Sequence, residues 1–261
     1  MFKIAHLGDT HIRNLKYHQE YRIVFKELYK ELKAEKPDYI VHCGDIAHTK
    51  TQLSPEYFQL ASEFLSELSA IAPLIVILGN HDGNLKNENR EDAITPIVDA
   101  LDNPRITLLK NSGEYSPESG LTFNVLSVFD RSNWIKPSSD QSINIALYHG
   151  SISGCMTDSG WTMDHGEDEA TIFNDHDYAL LGDIHKPQFL DKERKVGYCG
   201  STVQQNFGES QDKGYMLWEI KDKNNHRVSH RSLYHPKPFV TVTLNNDGTL
   251  PEANVPKYCR L

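Results

Sequence analysis

Short runs of apolar, β-branched residues alternate with longer stretches of helical spacing through the first half of the chain. Residues 4–7, 39–43 and 74–78 are almost continuously apolar and of strand length, which predicts buried strands. Between the first two, Tyr21, Val24, Phe25, Leu28 and Leu32 recur at helical spacing, predicting a helix over 17–34. Pro37-Asp38 ends that helix and starts the next strand. A second helix is predicted over 55–71, with Ser54 as its N-cap and Pro55 at its first position. A third covers 93–101. The second half changes character, with short strand-like runs at 122–128, 143–147, 178–181, 196–199, 215–220 and 228–233 separated by polar turns. This order predicts an α/β fold of two packed mixed sheets flanked by helices, rather than one doubly wound sheet. Residues 150–174 form a long polar segment rich in Gly, Ser, Asp and His, of a length that is often functional inside a compact domain. After Pro236-Lys-Pro238 a further strand is predicted over 239–244, followed by an Asn-Asn-Asp-Gly turn, as the opening of a second, small domain.

The polar residues that follow the apolar runs carry the chemistry. Asp9 and His11 follow the first, Asp45 and His48 the second, and Asn80, His81 and Asp82 the third; His149 ends the run at 143–147, and Asp183 and His185 follow 178–181. Open α/β sheets place their sites at such strand ends. An Asp-x-His pair alone is weak, since a turn aspartate beside a surface histidine accounts for it equally well. Gly79-Asn80-His81-Asp82 is more specific: the glycine permits a sharp bend, and His81 has no turn-forming purpose between its neighbours. Hard oxygen donors mixed with imidazoles suit two adjacent divalent cations, which at about 3.5–4 Å apart serve in-line displacement at phosphorus. The remaining histidines, His6 and His42 among them, fit packing or surface roles, and Phe207 fits the core.

Taken in order, these elements resemble the calcineurin-like metallophosphoesterases from Met1 to about Leu233, and within them the SbcD-type DNA repair nucleases and related phage recombination endonuclease subunits. His48 sits three residues after Asp45, as in that family's G-D-x-x-H element, and the stretch from Tyr198 to Glu209 resembles a segment that follows the last metal ligands there. The run from Pro236 to Leu244 resembles the start of a DNA-binding capping domain. The resemblance implies a four-layer α/β/β/α sandwich over 1–235, the beginning of a truncated capping domain over 236–261, and a two-metal DNA exonuclease or endonuclease acting in recombination, repair or phage DNA processing. It implies that Asp9, His11 and His185 hold one cation, that Asp45 bridges both, and that Asn80, His149 and residue 183 hold the other. His81 would stand beside the scissile phosphate, Asp82 would orient His81, and His48 would position substrate. The implied ions are Mn²⁺, with Mg²⁺ as the alternative. The implied partners are DNA, an ATPase subunit of the SbcC type and a second copy of the chain. One position departs: the family's Gly-His-x-His is Gly182-Asp183-Ile-His185 here. Asp183 is expected to ligate, the alternative being a loosely held second ion.

Composition moves this picture only slightly. The 261 residues, 38% hydrophobic and 24% charged, suit a globular protein of one large domain or somewhat more. No run approaches the roughly 18–20 apolar residues of a membrane span. The first strand supplies a ligand, so no leader is expected and no membrane is implied. Cys43, Cys155, Cys199 and Cys259 are scattered, which suits reduced thiols and a cytoplasmic setting. The formal net charge of -9 argues mildly against a stand-alone DNA binder. It leaves two alternatives open: hydrolysis of small phosphoesters or nucleotides, and a weakly active scaffold.

Overall fold

The computed structural model describes residues 1–87, 90–250, 256 and 258–260. Its chain runs β1 (Phe2–Leu7), α1 (His18–Glu35), β2 (Tyr39–Cys43), α2 (Pro55–Ile71), β3 (Leu74–Ile77), α3 (Thr95–Leu101) and β4 (Ile106–Leu109). It continues through β5 (Gly113–Glu118), β6 (Leu121–Leu126), β7 (Ile143–His149), β8 (Tyr178–Gly182), β9 (Gln188–Phe189), β10 (Val196–Tyr198), β11 (Gly214–Ile220) and β12 (His226–Ser232). Two six-stranded sheets result, ordered β12-β11-β1-β2-β3-β4 and β5-β6-β7-β8-β10-β9. In each, four strands run parallel and the rest are antiparallel edge additions. This is the metallophosphoesterase fold of two mixed sheets with flanking helices.

The apolar runs are nearly continuous because each central strand is buried on both faces. Ile40, Leu74 and Val76 point outward to meet Val24, Phe25, Leu28, Leu60, Phe64 and Leu68 of α1 and α2. Val41, Cys43, Ile75 and Ile77 point inward to meet Phe123, Ile145, Leu147 and Leu180 of the second sheet. The outer face of the second sheet, Ala146, Tyr148, Ala179 and Leu181, is covered by Trp134, Ile152, Cys155 and Phe173. Among the described residues that fourth layer consists of two 3-10 turns, Arg131–Asn133 and Ala170–Phe173, and the polar segment expected at 150–174. Ser54 caps α2 as expected, its hydroxyl accepting from the Tyr57 amide at 3.2 Å.

One strand expectation needs correction, and three strands were not foreseen. Among the described residues the run at 239–244 pairs only through Phe239, in a single bridge to Arg260. On the other edge of that residue a side chain stands in place of a strand: Gln204 takes the Phe239 amide (2.9 Å) on its Oε1 and donates its Nε2 to the Phe239 carbonyl (3.0 Å). The strands β4, β5 and β9 were not foreseen; β5 is a half-exposed edge containing Pro117 and β9 has two residues, so neither carries a readable apolar pattern. Phe207, expected in the core, is 47% exposed and meets Phe239 edge-on. Of the expected capping segment 236–261, residues 251–255, 257 and 261 lie outside the described residues. Among the described residues no helix is long and apolar enough to cross a membrane.

His6 is fully buried on β1, and burial pushes its pKa down to about 3. A histidine held neutral in the fold contributes stability above its unfolded pKa near 6.5 and loses it as pH falls toward the folded value. Replacing His6 by Phe is therefore expected to flatten the pH dependence of the unfolding free energy below pH 6.5, by up to about 1.4 kcal/mol per pH unit. Urea denaturation of both proteins from pH 4 to 7 measures this; parallel curves would contradict it.

Candidate metal centre

Five loops meet where the parallel strands of both sheets end. The loops after β1 and β2 are laced together by backbone bonds: the amides of Asp9, His11 and Ile12 donate to the carbonyls of Gly44, Asp45 and Ile46. Asp9, His11, Asp45 and Asp183 all have positive φ, at 50°, 48°, 58° and 94°. Non-glycine residues are costly in that region, by about 1–3 kcal/mol each, and persist where the surroundings over-determine them. Four such residues among the seven expected metal ligands mark the place where backbone comfort yields to side-chain placement. Gly79 is required by close approach, since a β-carbon there would collide with the Asp45 carboxylate and the His149 ring.

The expected ligands converge. Asp9, His11 and His185 bring ligand atoms within 4.8 Å of one another, as do Asp9, Asp45 and His149, and also His11, Asp45 and His81. Asp45 stands between the groups, its Oδ2 being 3.5 Å from His11 Nε2 and 3.4 Å from His149 Nε2. Asp183 Oδ1 lies 3.8 Å from His149 Nε2 and accepts from Asn80 Nδ2 at 3.2 Å, which turns the buried and otherwise unpartnered Asn80 Oδ1 to the other side of the amide. So the departure at 183 leaves an oxygen donor in the cluster.

The imidazoles are set for ligation from behind. His149 Nδ1 donates to the Cys43 carbonyl at 2.7 Å, leaving Nε2 without a hydrogen-bond partner. His185 Nδ1 donates to Glu209 Oε1 at 2.8 Å, and its Nε2 faces His11 Nε2 at 3.0 Å. Such outer partners fix the tautomer of a metal-binding histidine. Glu209 was absent from the expected site; its only sequence signal was its place at the end of the Tyr198-to-Glu209 stretch.

His81 is exposed at the rim. Its amide donates to Asp45 Oδ1 (2.8 Å), and its Nδ1 donates to the His48 carbonyl (2.7 Å). This corrects the role expected of Asp82. The buried Asp82 carboxylate accepts the amides of Asp45 (2.7 Å), Ala47 (2.8 Å) and Gly79 (3.0 Å), so it ties the β2 and β3 loops together instead of orienting His81. His48 lies beside His81, with its Nε2 accepting from Arg13 at 3.2 Å. Burial, then the Arg13 charge, lowers the His48 pKa to about 4 and keeps the ring neutral.

Electrostatics supports a cationic guest. Burial first, offset by His149 and His185 and reinforced by Asp45 and Asp183, pushes Asp9 up to about 7. Burial, then the Asp45 charge, pushes Asp82 up to about 7. Asp45 is held well below the carboxylate range: burial opposes this, but His149 and His11 outweigh it. Among the described residues none of Asp9, Asp45 and Asp183 pairs with a lysine or arginine. Buried carboxylates without a fixed cation, facing orphaned imidazole and amide acceptors, fit divalent metal ions.

Comparison with known proteins agrees with this geometry. The profile of the calcineurin-like phosphoesterase family matches residues 2–187, so the chain belongs to that family. An uncharacterized protein of Acanthamoeba polyphaga mimivirus is 37% identical over 273 residues, which is 99% of this chain but 20% of that protein. The chain thus spans about a fifth of that relative. Among solved structures, a dimetal phosphatase from Danio rerio superposes with a TM-score of 0.51 at 10% identity, over 87% of this chain and 98% of that one, a likeness of fold. A nuclease MPE of Pseudomonas putida matches 55% of this chain and 60% of that one at 16% identity, but a TM-score of 0.30 gives it no weight. The family uses divalent metal ions, and this member of it carries a candidate dimetal site.

Replacing Asp45 by Ala removes the carboxylate that stands between His11 and His149. Calorimetric titration with Mn²⁺ is expected to lose both binding events in that variant; retention of two ions at wild-type affinity would show that Asp45 bridges nothing.

Proposed function

We propose that the chain is a DNA nuclease that hydrolyses phosphodiester bonds with the help of two divalent ions, Mn²⁺ or Mg²⁺. The observation that carries this reading is the placement of exposed His81 beside Asp45, which its amide contacts at 2.8 Å, at the mouth of an open cleft. That cleft, of about 450 Å³, is lined by His48, Thr49, Lys50, Thr51, Asn80, His81 and Leu85. Lys50 donates to the Asn80 carbonyl at 2.7 Å, and Arg13 donates to His48 Nε2 at 3.2 Å, so two cations are held close to the His48–His81 pair. An open rim with two fixed cations suits a polyanion running past the site better than a small ester enclosed in a pocket.

Asp9, His11 and His185 would hold one ion, Asn80, His149 and Asp183 the other, with Asp45 shared. When bound, such a pair lowers the pKa of a water molecule and offsets charge on the phosphoryl oxygens. The chain's own residues do the rest. Arg13 and Lys50 hold the phosphates on either side of the scissile one. His81, fixed through Nδ1, presents Nε2 to the departing sugar oxygen; as the phosphorus–oxygen bond breaks, the imidazolium gives that oxygen its proton. An ATPase partner of the SbcC type and pairing of two copies belong to the same proposal. A second reading, hydrolysis of small phosphoesters, is favoured by the net charge of -9.

The readings separate in a paired assay on linear and hairpin DNA and on p-nitrophenyl phosphate esters, with Mn²⁺ or Mg²⁺ and with chelator. The nuclease reading expects metal-dependent cleavage of DNA, and a fall in kcat of about 10²–10⁴-fold for His81→Ala with Mn²⁺ binding retained. Hydrolysis of the monoester with intact DNA would sink it.

A further inference from the structure

Outside the ligand set, Glu209, the partner of His185, belongs to a buried charge cluster whose other members have had no role so far. Glu209, in the turn after Val203, has a side chain 5% exposed and uses both oxygens. Oε1 accepts the Nδ1 proton of His185 at 2.8 Å and an Asn206 amide proton at 2.9 Å; Oε2 accepts the Gln205 backbone amide at 2.9 Å. Behind it lies Lys213, whose ammonium is completely buried. That ammonium is 3.3 Å from Glu209 Oε2, 2.8 Å from the His185 carbonyl and 2.6 Å from Asp158 Oδ2. Asp158 belongs to the polar segment over the second sheet, and its other oxygen takes the Ser210 amide at 3.3 Å. A lysine without exposure is rare unless it is paired, and here two carboxylates and a carbonyl pair it.

The cluster acts at both ends of one ligand. Glu209 holds the ring of His185, and Lys213 holds its backbone carbonyl. Together they leave the ring little freedom to turn, and they make Nε2 the unprotonated nitrogen that faces Asp9 and His11. We propose that Glu209, backed by Lys213 and Asp158, is the positioning residue that orients His185 for the metal ion shared with Asp9 and His11. This rests on the site being a metal centre and deepens that reading. It also gives the polar segment at 150–174 a mechanical task, since Asp158 is its contact with this ligand.

Mn²⁺ titration by calorimetry, with no substrate present, tests the proposal on the full chain. Glu209→Ala is expected to weaken one of two Mn²⁺ sites by about 10- to 100-fold and to leave the other within a few-fold of wild type. Glu209→Gln, whose amide oxygen still accepts from Nδ1, is expected to recover most of that loss. Should the Ala protein fail to fold, Glu209→Asp keeps the charge beside Lys213 but withdraws the acceptor by one methylene, and it is expected to show the same one-sided weakening. Equal weakening of both sites would reveal a merely structural role and overturn the proposal. So would unchanged affinities in the Ala or Asp variant. A wild-type protein that binds no Mn²⁺ would overturn the metal centre itself, and the inference with it; DNA left uncut by a protein that binds two ions would count against the nuclease reading alone.

Discussion

Negative charge held out of water governs this molecule. Asp9, Asp45 and Asp82 are buried at one edge of the two sheets, with Asp183 beside them, and each would be costly there without compensation. The structure divides the burden. Asp82 is compensated by three backbone amides, a fixed set of dipoles that closes the β2 and β3 loops around it. Among the described residues, Asp9 accepts only from the Asp183 amide, at 3.0 and 3.1 Å to its two oxygens. Asp45 receives the His81 amide and faces two imidazoles. That second group is left short of positive charge, and this shortfall makes the edge a site instead of another piece of core.

The rest of the fold serves to hold that shortfall in place. A sandwich whose central strands are buried on both faces cannot shift one strand without disturbing two apolar layers, so the strand ends are rigid points of departure. Short loops then carry the ligands, and four ligand residues sit in left-handed backbone conformations that a more relaxed loop would abandon. The energy for this comes from the core and from the amides that Asp82 collects. Rigid strand ends and strained loops are the conditions under which side chains distant in sequence stay close before any ion arrives.

Much of this was legible in the chain itself, because apolar runs and the polar residues after them are local signals. The places of Asp9, His11, Asp45, Asn80 and His149 after apolar runs were readable for that reason, whereas their grouping into one site rested on the family resemblance. What could not be read depended on contacts between distant segments. The task of Asp82 was misjudged because its neighbour His81 is the obvious partner in sequence, whereas its real partners are amides at 45, 47 and 79. Glu209 lies 24 residues beyond His185, and its partnership is visible only once β10 and β11 have brought the two together. The run at 239–244 has a good strand pattern, yet a side chain, Gln204, takes the edge of Phe239 where a strand would pair, a contact that pattern cannot foresee.

Charge balance also bears on the identity of the substrate. On the proposed reading, Asp9, Asp45 and Asp183 are the anionic ligands, while Asn80 and the histidine ligands are neutral. Three carboxylates offset three of the four positive charges that two divalent ions bring, and the ligand set leaves one. A phosphodiester carries a single negative charge and a phosphomonoester, near neutral pH, two, so the monoester depends more on the positive charge that the ligand set leaves. A histidine at 183, as the family resemblance implies elsewhere, would leave two positive charges and a better match to a dianion. On that reading the carboxylate at 183 weakens the electrostatic pull on monoesters and leaves discrimination to Arg13 and Lys50, the cations held beside His48 and Asn80.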